Sequence, residues 1–98
     1  MIRSFKHKEL EKFFLANSKK GIQPKHATKL TDILAALGAA QTIAFVDIPG
    51  WNLHQLKGDE AMVWSVKVNG NWRVTFLFTE KTDENEGYAE VLDYRDYH

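Results

Sequence analysis

His54 and Lys57 stand three residues apart in Leu53-His54-Gln55-Leu56-Lys57-Gly58-Asp59, just ahead of a Gly-Asp turn. Imidazole moves protons near neutral pH, and an ammonium on a flexible stem neutralises a phosphate. A second place is Trp64–Phe76, where Lys67 and Arg73 flank the turn Asn69-Gly70-Asn71. Arginine there would bind an anion, phosphate above all, through its planar fork of donors. The third is Asp93-Tyr94-Arg95-Asp96-Tyr97-His98, dense in titratable groups. Each place has a plainer alternative: His54 and Lys57 as ordinary surface residues, a solvated face at Lys67 and Arg73, a frayed end at 93–98. No His-x-x-x-His or comparable ligand spacing supports a metal site, and there is no Walker loop, nucleophile elbow or dinucleotide fingerprint.

The elements that must position these groups follow from periodicity. From about Lys6 to Asn17 the spacing of Leu10, Phe13 and Phe14 is helical, with Gly21 offering a left-handed stop. Pro24 opens a second helix whose apolar stripe is Ala27, Leu30, Ile33, Leu34 and Leu37, with Gly38 ending it. The two form a hairpin, Met1–Phe5 is a candidate edge strand, and residues 39–50 are ambiguous. After Trp51 the period changes to two: Met62, Trp64, Val66 and Val68 alternate with Val63, Ser65 and Lys67, and Trp72, Val74, Phe76 and Phe78 with Arg73, Thr75 and Leu77. A two-residue turn would oppose Val66 to Arg73 and mix the faces. A three-residue loop instead pairs Val68 with Trp72, Val66 with Val74 and Trp64 with Phe76, with Asn71 left-handed. That register sets Lys67 opposite Arg73 beside a Ser65–Thr75 pair, and like charges across a ladder are unfavourable. Such a pair either holds an anion or is relieved by an acid from the last strand, Tyr88–Tyr94. The fold class is α+β: a helical hairpin packed on one face of a small, mainly antiparallel sheet.

Composition narrows the function classes. A chain of 98 residues, 44% hydrophobic and 27% charged, is expected to form one domain spanning 1–98 with a single core. Cysteine is absent, which excludes disulfides, thiolate metal sites and a Cys nucleophile and suits a reducing cytoplasm. No apolar run reaches the length of a membrane span. Thirteen basic residues balance thirteen acidic ones, but unevenly: residues 1–30 hold eight basic and two acidic, residues 60–98 four and eight. The first third therefore offers a basic face, whether for a partner or for solubility. Trp51 could stack on a base; Trp64 and Trp72 fall on the apolar face and are expected in the core.

Taken in order, Leu53–Asp59, Trp64–Phe76 and the terminal Asp96-Tyr97-His98, with the opening Met1-Ile2-Arg3-Ser4-Phe5 and the Ala-rich end of the second helix, resemble the RelE superfamily of toxins. The likeness is strongest to the HigB branch, the plasmid-maintenance killer proteins, and it covers the whole chain. It implies a microbial-RNase-like sheet with two packed helices and a ribosome-dependent mRNA endonuclease that cuts the codon in the ribosomal A site. It also implies a helix-turn-helix, HigA-like antitoxin that neutralises the toxin and binds operator DNA, no cofactor or metal, and no membrane. Carried onto this sequence, the family's functional residues fall on His54, Lys57, Arg73, Asp96, Tyr97 and His98, with Lys67 and Asn71 as further RNA contacts. RNA brings its own nucleophile, the 2′-OH, so such a site needs a base, cations for the phosphate and an acid for the leaving 5′-oxygen.

The chain departs from the family pattern in Glu60, where a basic residue commonly follows Gly-Asp, in Asn69, where some members have Arg, and in its neutral net charge. Fewer cations imply weaker RNA binding with a shallower salt dependence. The alternative function is a catalytically inactive relative that serves as binding partner of a helix-turn-helix regulator.

Overall fold

The computed structural model describes residues 1–97. Its elements are α1 (Lys8–Ala16), α2 (Ala27–Ala39), β1 (His54–Gln55), β2 (Trp64–Asn69), β3 (Trp72–Thr79) and β4 (Tyr88–Asp96), with short 3₁₀ turns at Pro24–His26, Ile43–Val46 and Gly58–Glu60. The strands form one antiparallel sheet in the order β1-β2-β3-β4. The two helices pack on it, as the α+β pattern implies. No helix among the described residues is long and apolar enough to cross a membrane.

Both helices bury their apolar stripes except at Phe14, which α1 leaves 42% exposed. Leu10 and Phe13 of α1 and Leu30, Ile33, Leu34 and Leu37 of α2 are buried, and they meet Val66, Val68, Val74, Phe76, Ala89, Leu92 and Tyr94 from the sheet. Burying each such side chain contributes about 1.5–3 kcal/mol relative to leaving it exposed. The helix ends differ slightly from the sequence expectation. His7 caps α1, its Nδ1 accepting the Leu10 N–H at 3.0 Å, and Asn17, at φ 54°, takes the left-handed C-cap ahead of Gly21. Asparagine can do this because its short polar side chain tolerates that conformation. Gly38 lies inside α2, which ends at Ala39. Trp64 and Trp72 pack partly buried against the core as expected, and Trp51 is buried with them.

The β2–β3 register is as alternation requires: Trp64 faces Phe76, Ser65 faces Thr75, Val66 faces Val74 and Lys67 faces Arg73. The turn is tighter than expected. Asn69, not Val68, faces Trp72, with a register shift between Lys67 and Asn69, and the left-handed residue is Gly70 (φ 56°), not Asn71. Glycine has no Cβ to clash there, and the bulge absorbs the odd residue, so Val68 stays buried.

β4 carries a second irregularity. Thr75 faces Asp93 but Leu77 faces Glu90, so Val91 and Leu92 together oppose Phe76. The bulge lets Ala89 and Leu92, three positions apart, both reach the core. Met1–Phe5 runs parallel beside it through the bridges Ile2–Ala89 and Phe5–Leu92. Val91 sits at φ 56°, its amide donating to Ser4 Oγ at 2.9 Å, with 40% of its surface exposed. A left-handed L-residue costs roughly 1–2 kcal/mol, and glycine returns about half of that through unfolded-state entropy. Val91→Gly is accordingly expected to raise stability by about 0.5–1 kcal/mol, a gain of about 4 °C in Tm. A fall in the melting temperature would instead mean that the Val91 side chain stabilises the bulge by packing.

His26 supplies a pH dependence. It is fully buried, its Nδ1 lies 2.6 Å from the Tyr94 hydroxyl, its Nε2 has no partner among the described residues, and its ring lies against Trp72. Burial, reinforced by the charge of Lys25, holds the His26 pKa below its ordinary value, and burial raises that of the Tyr94 hydroxyl. Below about pH 6.5 the unfolded imidazole takes up a proton that the folded one refuses. Stability is therefore complete above that pH and falls as pH drops, with a slope of at most about 1.4 kcal/mol per pH unit for one proton. Urea unfolding at pH 7 and pH 5 tests this: the loss should be smaller in His26→Leu. An equal loss in both would place the acid sensitivity elsewhere.

Candidate functional site

The face of the sheet away from the apolar cluster carries two cross-strand rows. One is His54, Ser65, Thr75 and Asp93, each facing the next across all four strands. The other is Lys67, Arg73 and Arg95. Three cations abreast repel one another unless their charge is balanced. At Arg95 it is: Nη1 donates to both Glu60 oxygens at 3.1 and 3.2 Å, Nε donates to Thr75 Oγ1 at 3.1 Å, and Nε lies 3.2 Å from Asp93 Oδ2. Arg73 turns toward the hairpin, Nη1 donating to the carbonyls of Gly70 at 3.0 Å and Trp72 at 3.2 Å. The last strand thus sets a third cation beside the Lys67–Arg73 pair, and the acid it brings, Asp93, pairs with that cation, Arg95.

Along the β1 edge, His54, Gln55, Leu56, Lys57 and Tyr97 line a cleft of about 270 Å³. His54 is held by its own chain: Asn52, in a left-handed conformation at φ 52°, presents its carbonyl 2.8 Å from His54 Nδ1. A carbonyl only accepts, so Nδ1 carries the proton and neutral His54 keeps its lone pair on Nε2. Lys57 stands at the start of the Gly58–Glu60 turn, next to buried Leu56. The segment closes on itself through Leu56 N–H to the Val63 carbonyl (2.9 Å) and Val63 N–H to the Glu60 carbonyl (2.9 Å). Tyr97 is fixed from the hairpin, its amide donating to the Asn71 carbonyl at 2.8 Å, and the residue is 43% exposed.

His54, Lys57 and Tyr97, three separate sequence signals, therefore share one cleft. Arg73 and Lys67 lie in the neighbouring row of the same face, and Asn71 supports Tyr97 through its backbone. Asp96 pairs with Trp72 and alternates away from Arg95 and Tyr97, so it is not among the residues lining the cleft. His98 lies outside the described residues. Arg95 is the site-face residue that sequence reasoning passed over. Matching Tyr94 to Val74 as an apolar pair would have placed it beside Arg73. Ser65 Oγ, in the floor of the first row, is fully buried without a partner among the described residues. The acidic 80–87 loop joins β3 to β4 at the end opposite the Gly70-Asn71 turn and is tied to residues 41–43, Glu80 accepting the Ile43 N–H at 2.7 Å. Eight residues of β3 separate it from that turn, roughly 25 Å of extended chain.

Such a site can take a proton at His54 Nε2 and hold an anion with lysine and arginine. A family model described as the RelE-like toxin of type II toxin-antitoxin system HigB matches residues 3–98. The Endoribonuclease HigB of Proteus vulgaris is 38% identical over 98 residues, which is 100% of each chain. A solved YoeB/ParE toxin from Agrobacterium tumefaciens, 16% identical with full coverage of both chains, superposes with a TM-score of 0.66, a likeness of fold.

Proposed function

The chain belongs to the HigB-like family of RelE-like toxins of type II toxin-antitoxin systems, and from that premise we propose that it is an endoribonuclease cutting mRNA in the ribosomal A site. The observation that carries this is the shared cleft of His54, Lys57 and Tyr97, with Nδ1 of His54 occupied by the Asn52 carbonyl. His54 Nε2 takes the proton of the 2′-OH, which attacks the adjacent phosphorus. Lys57 and Arg73 hold the phosphoryl oxygens, Arg73 leaving the Gly70 and Trp72 carbonyls to do so, and Lys67 adds charge in the same row. Tyr97 or His98 protonates the departing 5′-oxygen. The products are a 2′,3′-cyclic phosphate and a 5′-OH end. Asp96 and Asn71 act through the placement of Tyr97.

The ribosome supplies the alignment: presenting the codon in a reactive geometry replaces binding energy that a neutral protein lacks. Control comes from a HigA-like helix-turn-helix antitoxin that binds the toxin and, through itself, operator DNA; the setting is the cytoplasm. The test is brief induction of the untagged protein followed by primer extension on cellular mRNAs. New 5′ ends in translated regions, in frame with codons and dependent on translation, are expected. Folded protein that gives neither new ends nor growth arrest would leave the binding-partner role, an inactive relative holding a regulator.

A further inference from the structure

We propose that Arg95 is a positioning residue of this cleft, acting through Glu60 to hold the turn that bears Lys57 against the strand that bears Tyr97. The inference rests on the nuclease reading for its effect on rate, but its structural content does not.

The turn needs such a tie. β1 is two residues long and pairs with β2 only through His54–Ser65 and Gln55–Trp64. Beyond it, the Leu56 N–H to Val63 carbonyl bond carries that pairing one step further, and the turn between them is closed only on itself, by Ala61 N–H to the Gly58 carbonyl and Val63 N–H to the Glu60 carbonyl. Glu60 makes the connection outward. Its two oxygens receive Arg95 Nη1, while Arg95 Nε is fastened to Thr75 on β3 and to Asp93 on β4. Two residues beyond, Tyr97 has its ring centre 5.9 Å from the Arg95 guanidinium carbon. One side chain therefore touches the turn, both central-edge strands and the aromatic wall of the cleft.

Magnitudes separate this role from a stabilising one. The Arg95 side chain is 25% exposed and that of Glu60 42%, and ion pairs this open to water add little to stability. What a guanidinium with three anchors defines is orientation. Arg95 is also not the group that meets phosphate: two carboxylates already neutralise it, leaving Lys67 and Arg73 as the row's available charge. This gives Glu60 a purpose, since a cation at that position beside Arg95 would push the turn away.

The experiment uses the full chain in two measurements. In amide hydrogen exchange, Arg95→Gln and Glu60→Gln are expected to speed exchange at Leu56 and Val63 about two- to fivefold, with β2 and β3 unchanged. In single-turnover cleavage of mRNA on programmed ribosomes, both variants should lower the maximal rate about tenfold, as small misplacements do, and keep the half-saturating ribosome concentration within twofold. Arg95→Lys, which keeps the charge but not the fork that reaches Glu60, Thr75 and Asp93 together, should recover only a small part of that loss. Glu60→Gln added to Lys57→Ala should cost nothing further, because the two act in one chain of support. Unchanged exchange at 56–63 overturns the proposal whatever the activity. So does an effect confined to half-saturation, or full additivity with Lys57→Ala. A wild-type protein that cleaves nothing would instead remove the nuclease reading, while the exchange result still decides whether Arg95 holds the turn.

Discussion

Replacing His54 with Ala is expected to slow RNA cleavage about 10²–10⁴-fold, the usual worth of a positioned proton-transfer group. The side chain is exposed and its one hydrogen bond among the described residues is to the Asn52 carbonyl two residues away, so folding should be almost untouched, within about 0.5 kcal/mol. The loss should appear in the rate at saturating ribosomes, because a base that meets the 2′-OH in the transition state adds little to ground-state binding. Single-turnover kinetics with a melting curve as control makes the measurement. A loss below tenfold would show that another group takes the proton, with His98 the next to test.

Arg73→Ala is expected to abolish growth arrest, cutting the cleavage rate about 10²–10³-fold through loss of charge at the phosphorus. Arg73→Lys should recover only part of this, since an ammonium cannot reproduce the guanidinium fork. The free protein already employs this side chain at the Gly70 and Trp72 carbonyls, and losing those bonds costs on the order of 1 kcal/mol, too little to unfold a domain. Binding to the antitoxin should survive in both variants. Persistent arrest with folded Arg73→Ala would move phosphate recognition to Lys57 and Lys67 alone. Reading arrest, cleavage and antitoxin binding side by side distinguishes a spoiled catalyst from a spoiled fold.

Much of the fold was legible because local patterns and burial agree. The stripe of Leu30, Ile33, Leu34 and Leu37 has no use except on one helix face, and the alternation on both sides of Asn69-Gly70 admits only a register that keeps Trp64, Val66, Val74 and Phe76 together. The Lys67–Arg73 opposition followed from that register alone. Less legible were the places where the backbone departs from regular pairing. Val68 was expected opposite Trp72, but a bulge there costs little once Gly70 takes the left-handed position. Val91 gave no warning at all, since a β-branched residue is the last expected at positive φ.

What the sequence by itself determined is the alternation and the stripes: which residues are inside, the α+β class, and the chemical types gathered near residues 54–57, 67–73 and 93–98. These depend on side-chain periodicity, which is local. Only the tertiary structure decided which of those groups meet. The β4 bulge shifts the strand's parity, so that Asp93 and Arg95 face Thr75 and Arg73 while Leu92 and Tyr94 enter the core. Pairing of the Tyr97 amide with the Asn71 carbonyl of the hairpin brings Tyr97 to a cleft whose other wall begins at His54. Neighbours forty residues apart are set by sheet register and by one irregular turn of backbone, and a single changed parity would carry every side chain beyond it to the other face.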